Sequence, residues 1–214
     1  PILTVLMICS VTVLGTSMAL KQRYERSEHF RTTYTCQVVA KKEVDPDEIQ
    51  KGIEEQNQVK YRSSIPILAL DPEKIRSKYV SANYGITSES AIKSAAEEAG
   101  LTYGYTKLRD DECIHLTHIM LLSFMPEKNE NVMIGDQEFK QIAESNVPYL
   151  GDLQNGLSVY VVSDAQYENL RSLGAVMYLY NFKFEDPDNL DASAPFLKSL
   201  VKKDKDRYVG VNMI

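Results

Sequence analysis

Residues 2–20, Ile-Leu-Thr-Val-Leu-Met-Ile-Cys-Ser-Val-Thr-Val-Leu-Gly-Thr-Ser-Met-Ala-Leu, contain no Asp, Glu, Lys, Arg or His. A helix over this run is about 28 Å long at 1.5 Å of rise per residue, close to the ~30 Å hydrocarbon layer of a bilayer. The small residues Ser10, Gly15, Ser17 and Ala19 are spread along it, as suits a membrane helix packed against others. Lys21, Arg23 and Arg26 follow at once, placed to lie among headgroups. A buried helix of a soluble core is seldom so long and uncharged at a chain end. A signal peptide needs a basic segment before the apolar run, although Ser17-Met18-Ala19 weakly resembles a cleavage site. A transmembrane helix cut at its start fits best, and because Pro1 is not a natural beginning the sequence is expected to be part of a longer protein. The basic cluster favours a cytoplasmic location for the residues C-terminal to it, but that rule binds short loops more than long domains.

Beyond this run the chain has the composition of one folded domain. With 43% hydrophobic and 25% charged residues it is neither low-complexity nor disordered. Four of the 24 basic and two of the 30 acidic side chains precede Thr32, which leaves 20 against 28, a net −8, on residues 32–214. An acidic domain excludes nucleic acid as a partner, since phosphate neutralisation needs a basic face. Three cysteines are too few for a disulfide framework, and three histidines leave little material for a metal enzyme.

The residues from Thr32 onward read as an α/β domain. Residues 32–40 are rich in β-branched and aromatic side chains and predict a strand. Asp45-Pro46-Asp47-Glu48 opens a helix, with an Asp cap, Pro at the first position and acids in the first turn, running to about Gln56. Residues 65–70 form a short apolar run, and a brief helix is expected after Asp71-Pro72 as far as Tyr79. Residues 87–99 predict a helix that Gly100 ends in a left-handed conformation. Residues 101–108 and 114–124 read as neighbouring strands joined by the charged turn 109–112.

A short internal repeat marks the last third. Residues 132–142 align with residues 160–170, an offset of 28 residues from Gly135 to Ser163. Each copy reads as an apolar strand, a capping residue, Asp in the first helical turn, then an aromatic and an aliphatic residue three apart on one helix face. Ser163 and Gln166 have capping-box spacing, and Gly174 closes the helix. A strand over 175–182 comes next, with Val176, Tyr178, Tyr180 and Phe182 on one face, which makes a short βαβ unit. Residues 191–202 predict a final helix, and residues 207–214 another strand or the approach to a further membrane span.

The apolar helix, the large domain behind it and the segment Leu157-Ser158-Val159-Tyr160-Val161-Val162-Ser163-Asp164-Ala165-Gln166-Tyr167-Glu168-Asn169-Leu170 resemble a permease subunit of a bacterial ABC transporter, more narrowly the FtsX-like permeases of the bacitracin-resistance type. The first copy departs from that pattern, with Gly135 for Ser and Phe139 for Tyr. The resemblance implies a truncated transmembrane helix over 1–20, a juxtamembrane connector over 21–31 and an extracellular α/β (α+β) domain with short strand–helix repeats over 32–214. It further implies a multi-pass protein of the cell membrane that serves export or antimicrobial-peptide detoxification. The chain itself would not be an enzyme, ATP hydrolysis belonging to a separate ABC ATPase subunit. Other partners implied are the remaining transmembrane helices of the permease, membrane lipid, a peptide or lipid-linked ligand, and a sensor histidine kinase. Two alternatives stay open: an FtsX-like permease of the lipoprotein-release or cell-division type with a protein partner, and a singly anchored extracellular binding protein or enzyme.

No residue is assigned a catalytic, cofactor-binding or metal-ligating role, and no cofactor is expected. Cys113, His115 and His118 offer a thiolate and two imidazoles to zinc. On a strand, however, Cys113 and His115 share one face and His118 points to the other, so all three cannot converge without a bulge, and a solvated strand face is the plainer explanation. Cys36 and Cys113 are left open as a disulfide pair, with Cys9 in the membrane. Ser163 and Asp164 are explained as helix caps. The 13 tyrosines, against 6 phenylalanines, allow a surface for an amphipathic peptide or lipid headgroup in which Tyr103, Tyr105, Tyr178 and Tyr180 take part, or ordinary sheet packing. The acidic domain can steer cationic peptides, or its charge can serve solubility alone.

Overall fold

The structure is a computed structural model that describes residues 15–18, 21, 33–77, 81, 83–116, 130–145, 147–151 and 157–213. The expected transmembrane helix and connector lie almost wholly outside the described residues; within them, residues 15–18 and Lys21 are helical. Among the described residues no helix is long and apolar enough to cross a membrane.

Among the described residues ten strands form one mixed sheet: β1 (Cys36–Ala40), β2 (Val59–Leu70), β3 (Ile75–Arg76), β4 (Asn83–Ser88), β5 (Glu112–Leu116), β6 (Glu130–Ile134), β7 (Gln137–Ser145), β8 (Leu157–Val162), β9 (Ala175–Phe184) and β10 (Tyr208–Met213). Their order is β10-β1-β9-β2-β4-β8-β5-β7-β6-β3. Only β4·β8 and β5·β7 pair in parallel; the other neighbours are antiparallel. The helices that cover the sheet among the described residues are α1 (Pro46–Glu54), α2 (Glu89–Glu98), α3 (Asp164–Leu170) and α4 (Leu190–Lys203).

Side chains alternate between two faces along each strand. Cys36, Val38, Tyr180 and Phe182 pack under Ile49 and Ile53 of α1 and Leu197 of α4, while Tyr160, Val162, Ile86 and Leu68 pack under Tyr167 and Leu170 of α3. On the opposite face Ile65, Ile67, Val159, Val161 and Leu179 pack under Ile92, Ala95 and Ala96 of α2 and under Tyr149 and Leu150. Each fully buried aliphatic side chain contributes roughly 1.5–3 kcal/mol relative to exposure, so these clusters hold the layers together.

The locally signalled helices form as expected. Asp45 accepts from the Asp47 amide at the head of α1, Ser88 from Ala91 at the head of α2, and Ser163 from Gln166 at the head of α3. Gly100 sits at φ 65 as a left-handed terminator. The capping box of α3 is half made, because the Gln166 side-chain oxygen is buried without a partner. Gly174 comes after a 3-10 turn in extended rather than left-handed conformation. It is required by close approach, since a Cβ there would lie 2.0 Å from the Ala69 carbonyl oxygen. The helix and the flanking strands make the expected βαβ unit, with β4 and β2 lying between β8 and β9.

Three expectations are corrected. After Asp71 a 3-10 turn (Pro72–Lys74) gives way at once to β3, because Ile75 is drawn onto β6 opposite Ile134; Tyr79 lies outside the described residues. Residues 101–108 form no strand: the Glu89 carboxylate captures the Leu108 amide at 3.2 Å, and the segment lies over α2 with Leu101, Tyr103 and Tyr105 packed on the core. The first repeat copy is a hairpin, β6–β7, and not a strand and helix. Gly135 at φ 60 turns the chain where Ser163 caps a helix. Of the strand expected over 114–124, the part to Leu116 belongs to β5 and the rest lies outside the described residues.

The two chain-terminal strands are locked in by a row of amides. Asn212 on β10, Gln37 on β1, Asn181 on β9 and Ser63 on β2 are successive register partners. They are hydrogen-bonded in sequence: Asn212 Nδ2 to Gln37 Oε1 at 3.0 Å, Gln37 Nε2 to Asn181 Oδ1 at 2.8 Å, and Asn181 Nδ2 to Ser63 Oγ at 3.2 Å. Gln37 Nε2 also donates to the Leu150 carbonyl at 2.6 Å, and Gly151, at φ 70, lies so close that a Cβ would meet Asn181 Oδ1 at 2.9 Å. Replacing Asn181 by Ala removes an acceptor and a donor from fully buried partners and is expected to cost about 2–3 kcal/mol. Urea unfolding checks this; a loss below about 0.5 kcal/mol would show that the row contributes nothing to stability.

Candidate functional site

β5, β7 and β8 bring together a group of chemistry-bearing side chains on the sheet. His115 on β5 lies opposite Glu144 on β7 and Tyr160 on β8. A bulge produces the first pairing: Cys113 faces Gln141 but Ile114 faces Ala143, so Ile142 is the extra residue and Glu144 is turned onto the His115 face. His115 Nε2 lies 2.6 Å from Ser158 Oγ, its Nδ1 lies 4.0 Å from Glu144 Oε1, and its ring stacks on Tyr160 at 4.8 Å between centroids. Tyr160 in turn bonds Ser77 through its hydroxyl at 2.6 Å.

Serine, histidine and carboxylate in this order are the residue types of a hydrolytic relay. The setting is that of a packed interior. His115 is 2% and Ser158 7% exposed, and burial lowers the imidazole pKa to about 4, so the ring is neutral at pH 7. The solvated strand face anticipated for Cys113 and His115 is therefore corrected: both are buried. They do share a face, as the alternation requires, but burial raises the Cys113 thiol to about 12, which opposes the thiolate that zinc needs. Among the described residues no three ligands converge for a metal, and His118 lies outside them.

Cys36 and Cys113 are both free thiols. They stand on β1 and β5, with β9, β2, β4 and β8 between them. Five inter-strand steps of about 4.8 Å place them far beyond disulfide reach, which closes that alternative. Cys9 lies outside the described residues.

The tyrosines do not form one surface either. Tyr178 and Tyr180 stack at 6.4 Å beneath α1 and α4, where the Tyr180 hydroxyl accepts from the Val44 amide at 2.7 Å. Tyr103 meets Tyr105 edge-on at 5.4 Å and carries Lys93 over its ring at 5.1 Å, on the opposite face of the sheet.

The ends of the parallel strands β4 and β8 form a switch point, with α2 leaving over one face and α3 over the other. Such crevices often hold anionic ligands, but here the protein's own carboxylates fill it. Asp164 accepts from the Ser90 amide at 3.0 Å, and Asp110 accepts from Ser163 Oγ at 2.6 Å. Burial opposes the charge on Asp164, yet hydrogen bonds from Ser90 and Ser88 and the nearby Lys93 outweigh it and hold the carboxyl below its ordinary value.

An open feature lies at the other side of the sheet. A groove of about 430 Å³ runs over the α2 face of β10, β1, β9 and β2, reaching Asn83 and Leu157; its apolar lining includes Val39, Ala69, Met177, Leu179 and Val209. No lining residue is charged. Val209 is 49% exposed, one of two large hydrophobic side chains so open among the described residues. The expectation of a strand over 207–214 could not show this, because its meaning depends on the pairing of β10 with β1 at the sheet's edge.

No protein-family model and no curated protein matches the chain. Solved structures do. A crystal structure from Bacillus anthracis, described as a candidate lipoprotein, aligns over 84% of this chain and 96% of its own with a TM-score of 0.51 and 12% identity, a likeness of fold alone. The extracellular domain of the noncanonic ABC-type transporter YknZ from Gram-positive bacteria aligns over 78% of this chain and 88% of its own, at 12% identity and a TM-score of 0.34. The periplasmic region of MacB from Actinobacillus actinomycetemcomitans aligns over 85% and 89%, at 9% identity and 0.31.

The depressed pKa of His115 sets a pH dependence. The unfolded chain takes up this proton near pH 6.5 and the folded one only near 4. Stability from the neutral ring is fully present above pH 6.5 and is lost as pH falls through that window, a loss on the order of 3 kcal/mol. Urea midpoints between pH 7 and 4 should therefore fall more steeply for the native protein than for His115→Gln; equal slopes would contradict a buried neutral imidazole.

Proposed function

We propose that the chain is the extracellular domain, with its leading membrane helix, of an ABC-transporter permease that binds a peptide antibiotic or a lipid-linked target for export or detoxification. The observation that carries this reading is the position of the domain's two ends. Cys36, where the chain enters the sheet, is the register partner of Met213, where it leaves, so entry and exit stand about 5 Å apart on neighbouring strands. A domain held between two membrane spans needs this geometry, and the uncharged run at residues 2–20 supplies a span on the entry side. The chain itself carries no hydrolytic role; a separate ATPase subunit energises the movement, transmitted to the domain through residues 21–31. The net charge of −8 over residues 32–214 steers cationic peptides toward it.

A second reading is favoured by one observation. The fold match in Bacillus anthracis is described as a candidate lipoprotein, which supports a singly anchored extracellular binding protein, a reading that differs in having no ATPase partner.

Location and ligand are tested separately. Glu168 is an exposed α3 side chain, and Glu168→Cys should react with a membrane-impermeant maleimide on intact cells, with little background from the buried Cys36 and Cys113; labelling only after permeabilisation overturns an extracellular domain. Titration of the full chain with cationic peptide antibiotics, with and without undecaprenyl-pyrophosphate, should give saturable binding that persists at high salt. Binding that vanishes with salt reduces the acidic surface to simple attraction. In membranes, replacing residues 21–31 with a flexible linker should abolish ligand-stimulated ATP hydrolysis by the co-purified ATPase, whereas absence of any such ATPase favours the singly anchored protein.

A further inference from the structure

We propose that the outer edge of β10, together with the uncharged groove beside it, is a docking site for an extended segment of another polypeptide, which adds to the sheet as a further strand. Among the described residues β10 and β3 end the sheet, and the two edges are unlike. β3 is two residues long, ends in Arg76 and lies directly after Pro72-Glu73-Lys74, features that blunt an edge against pairing. β10 is six residues, Tyr-Val-Gly-Val-Asn-Met, without a charge or a proline. Every residue of it after Tyr208 is at least partly exposed, and Val209 is the most open.

An edge strand presents alternate amides and carbonyls outward, and this row specifies the occupant's chemistry. A lipid tail or small apolar molecule leaves those groups unpaired; an extended peptide satisfies them. On that face such a strand meets the rim of the groove formed by Val209, Gly210 and Asn212 of β10, behind which the uncharged lining continues over β1 and β9. Gly210 leaves open space where a Cβ would stand, so a neighbouring backbone can approach there.

Charge narrows the partner further. The groove is uncharged, whereas around the beginning of β10 the exposed Lys41, Lys42, Lys202, Lys203, Lys205 and Arg207 outnumber Glu43, Glu48, Asp204 and Asp206, with Arg207 paired to Asp204. Lys41 and Arg207 are joined across the strand pair, through Lys41 N donating to the Arg207 carbonyl at 2.7 Å. The segment that fits is apolar and uncharged along residues 209–213 and acidic where it passes Tyr208. A second copy of this chain does not fit on the functional reading proposed for the domain. An antiparallel β10–β10 pair would put the two Met213 ends at opposite ends of the ribbon, so both copies could not be rooted in one membrane.

The probe is a capped, fluorescein-labelled peptide of four Val-Thr repeats ending in Glu-Glu, so that antiparallel pairing sets its acids beside Tyr208, added to the full chain in detergent. Saturable binding is expected, with the exchange of outward amides in residues 208–213 slowed at least about tenfold. Val209→Lys should weaken binding by about tenfold or more, and the same peptide N-methylated at alternate residues should not bind. Val209 is half exposed, so the variant leaves the fold intact, which unchanged urea unfolding confirms. Absence of saturable binding, binding indifferent to Val209→Lys or to N-methylation, or a chain dimer that Val209→Lys dissociates would each overturn the site. Loss of peptide binding with Glu168→Cys still labelled on intact cells sinks this site alone. Binding with labelling only in permeabilised cells sinks the location instead.

Discussion

The row of side chains Asn212, Gln37, Asn181 and Ser63 is the constraint on which the arrangement of this sheet depends. Sliding any of β10, β1 or β9 by a single residue would turn its amide into the apolar layer beneath α1 and α4 and put a valine or aromatic ring in its place. Because Gln37, Asn181 and Ser63 are buried and the row is paired along its length, that error costs unpaired donors and acceptors as well as misplaced apolar area. The row also accepts the chain at 147–151, through the Leu150 carbonyl and the close approach of Gly151. A stretch without regular structure thereby becomes part of the core, with Tyr149 and Leu150 both buried. Its partners are 144 and 175 residues apart in sequence, so the contacts that define the edge of the sheet close the longest loops in the domain.

Features set by neighbours in sequence were legible in the residues, and features set by distant partners were not. Asp45-Pro46 and Ser163 announce helices because a cap needs only its own side chain and the next turn. The two repeat copies show the limit of that logic. Both carry Asp, then an aromatic and an aliphatic residue three apart, a spacing that suits a helix face. Yet Phe139 and Gln141 are buried while Glu138 and Lys140 are exposed, which is the two-residue period of a strand. The residue before Asp decides between the periods, since Ser accepts a hydrogen bond from the coming turn whereas Gly at positive φ folds the chain back on itself. Gln37 gave no signal of this kind, lying in a run that otherwise alternates well, and its role is visible only once β9 and β10 flank it.

The His115 group shows why recognising residue types falls short of recognising a site. Its Ser, His and Glu reside on three strands whose order differs from their order in the sequence, and a bulge at Ile142 is needed to bring Glu144 to the correct face. The same pairing seals the group inside the sheet, and the cost of charging a buried imidazole removes the proton exchange such residues perform at a surface. The expected tyrosine surface fails in a similar way, because strands from distant parts of the chain divide its four members between opposite faces.

The edge at β10 unites the two residue patterns that looked alternative at the end of the chain. Val209, Val211 and Met213 read equally as a strand and as the approach to a membrane, and as β10 they are a strand whose last residues stand beside the domain's entrance at Cys36. A segment that pairs with this edge therefore touches the strand that lies directly beside the domain's entrance on β1. No helix or loop need relay the event. A strand added to β10 extends a ladder that runs through β1 into β9 and β2, and the amide row makes these four strands one stiff unit. On the proposed reading, docking at the edge and the movement of the membrane-rooted segments become one mechanical event, transmitted along hydrogen-bonded strands.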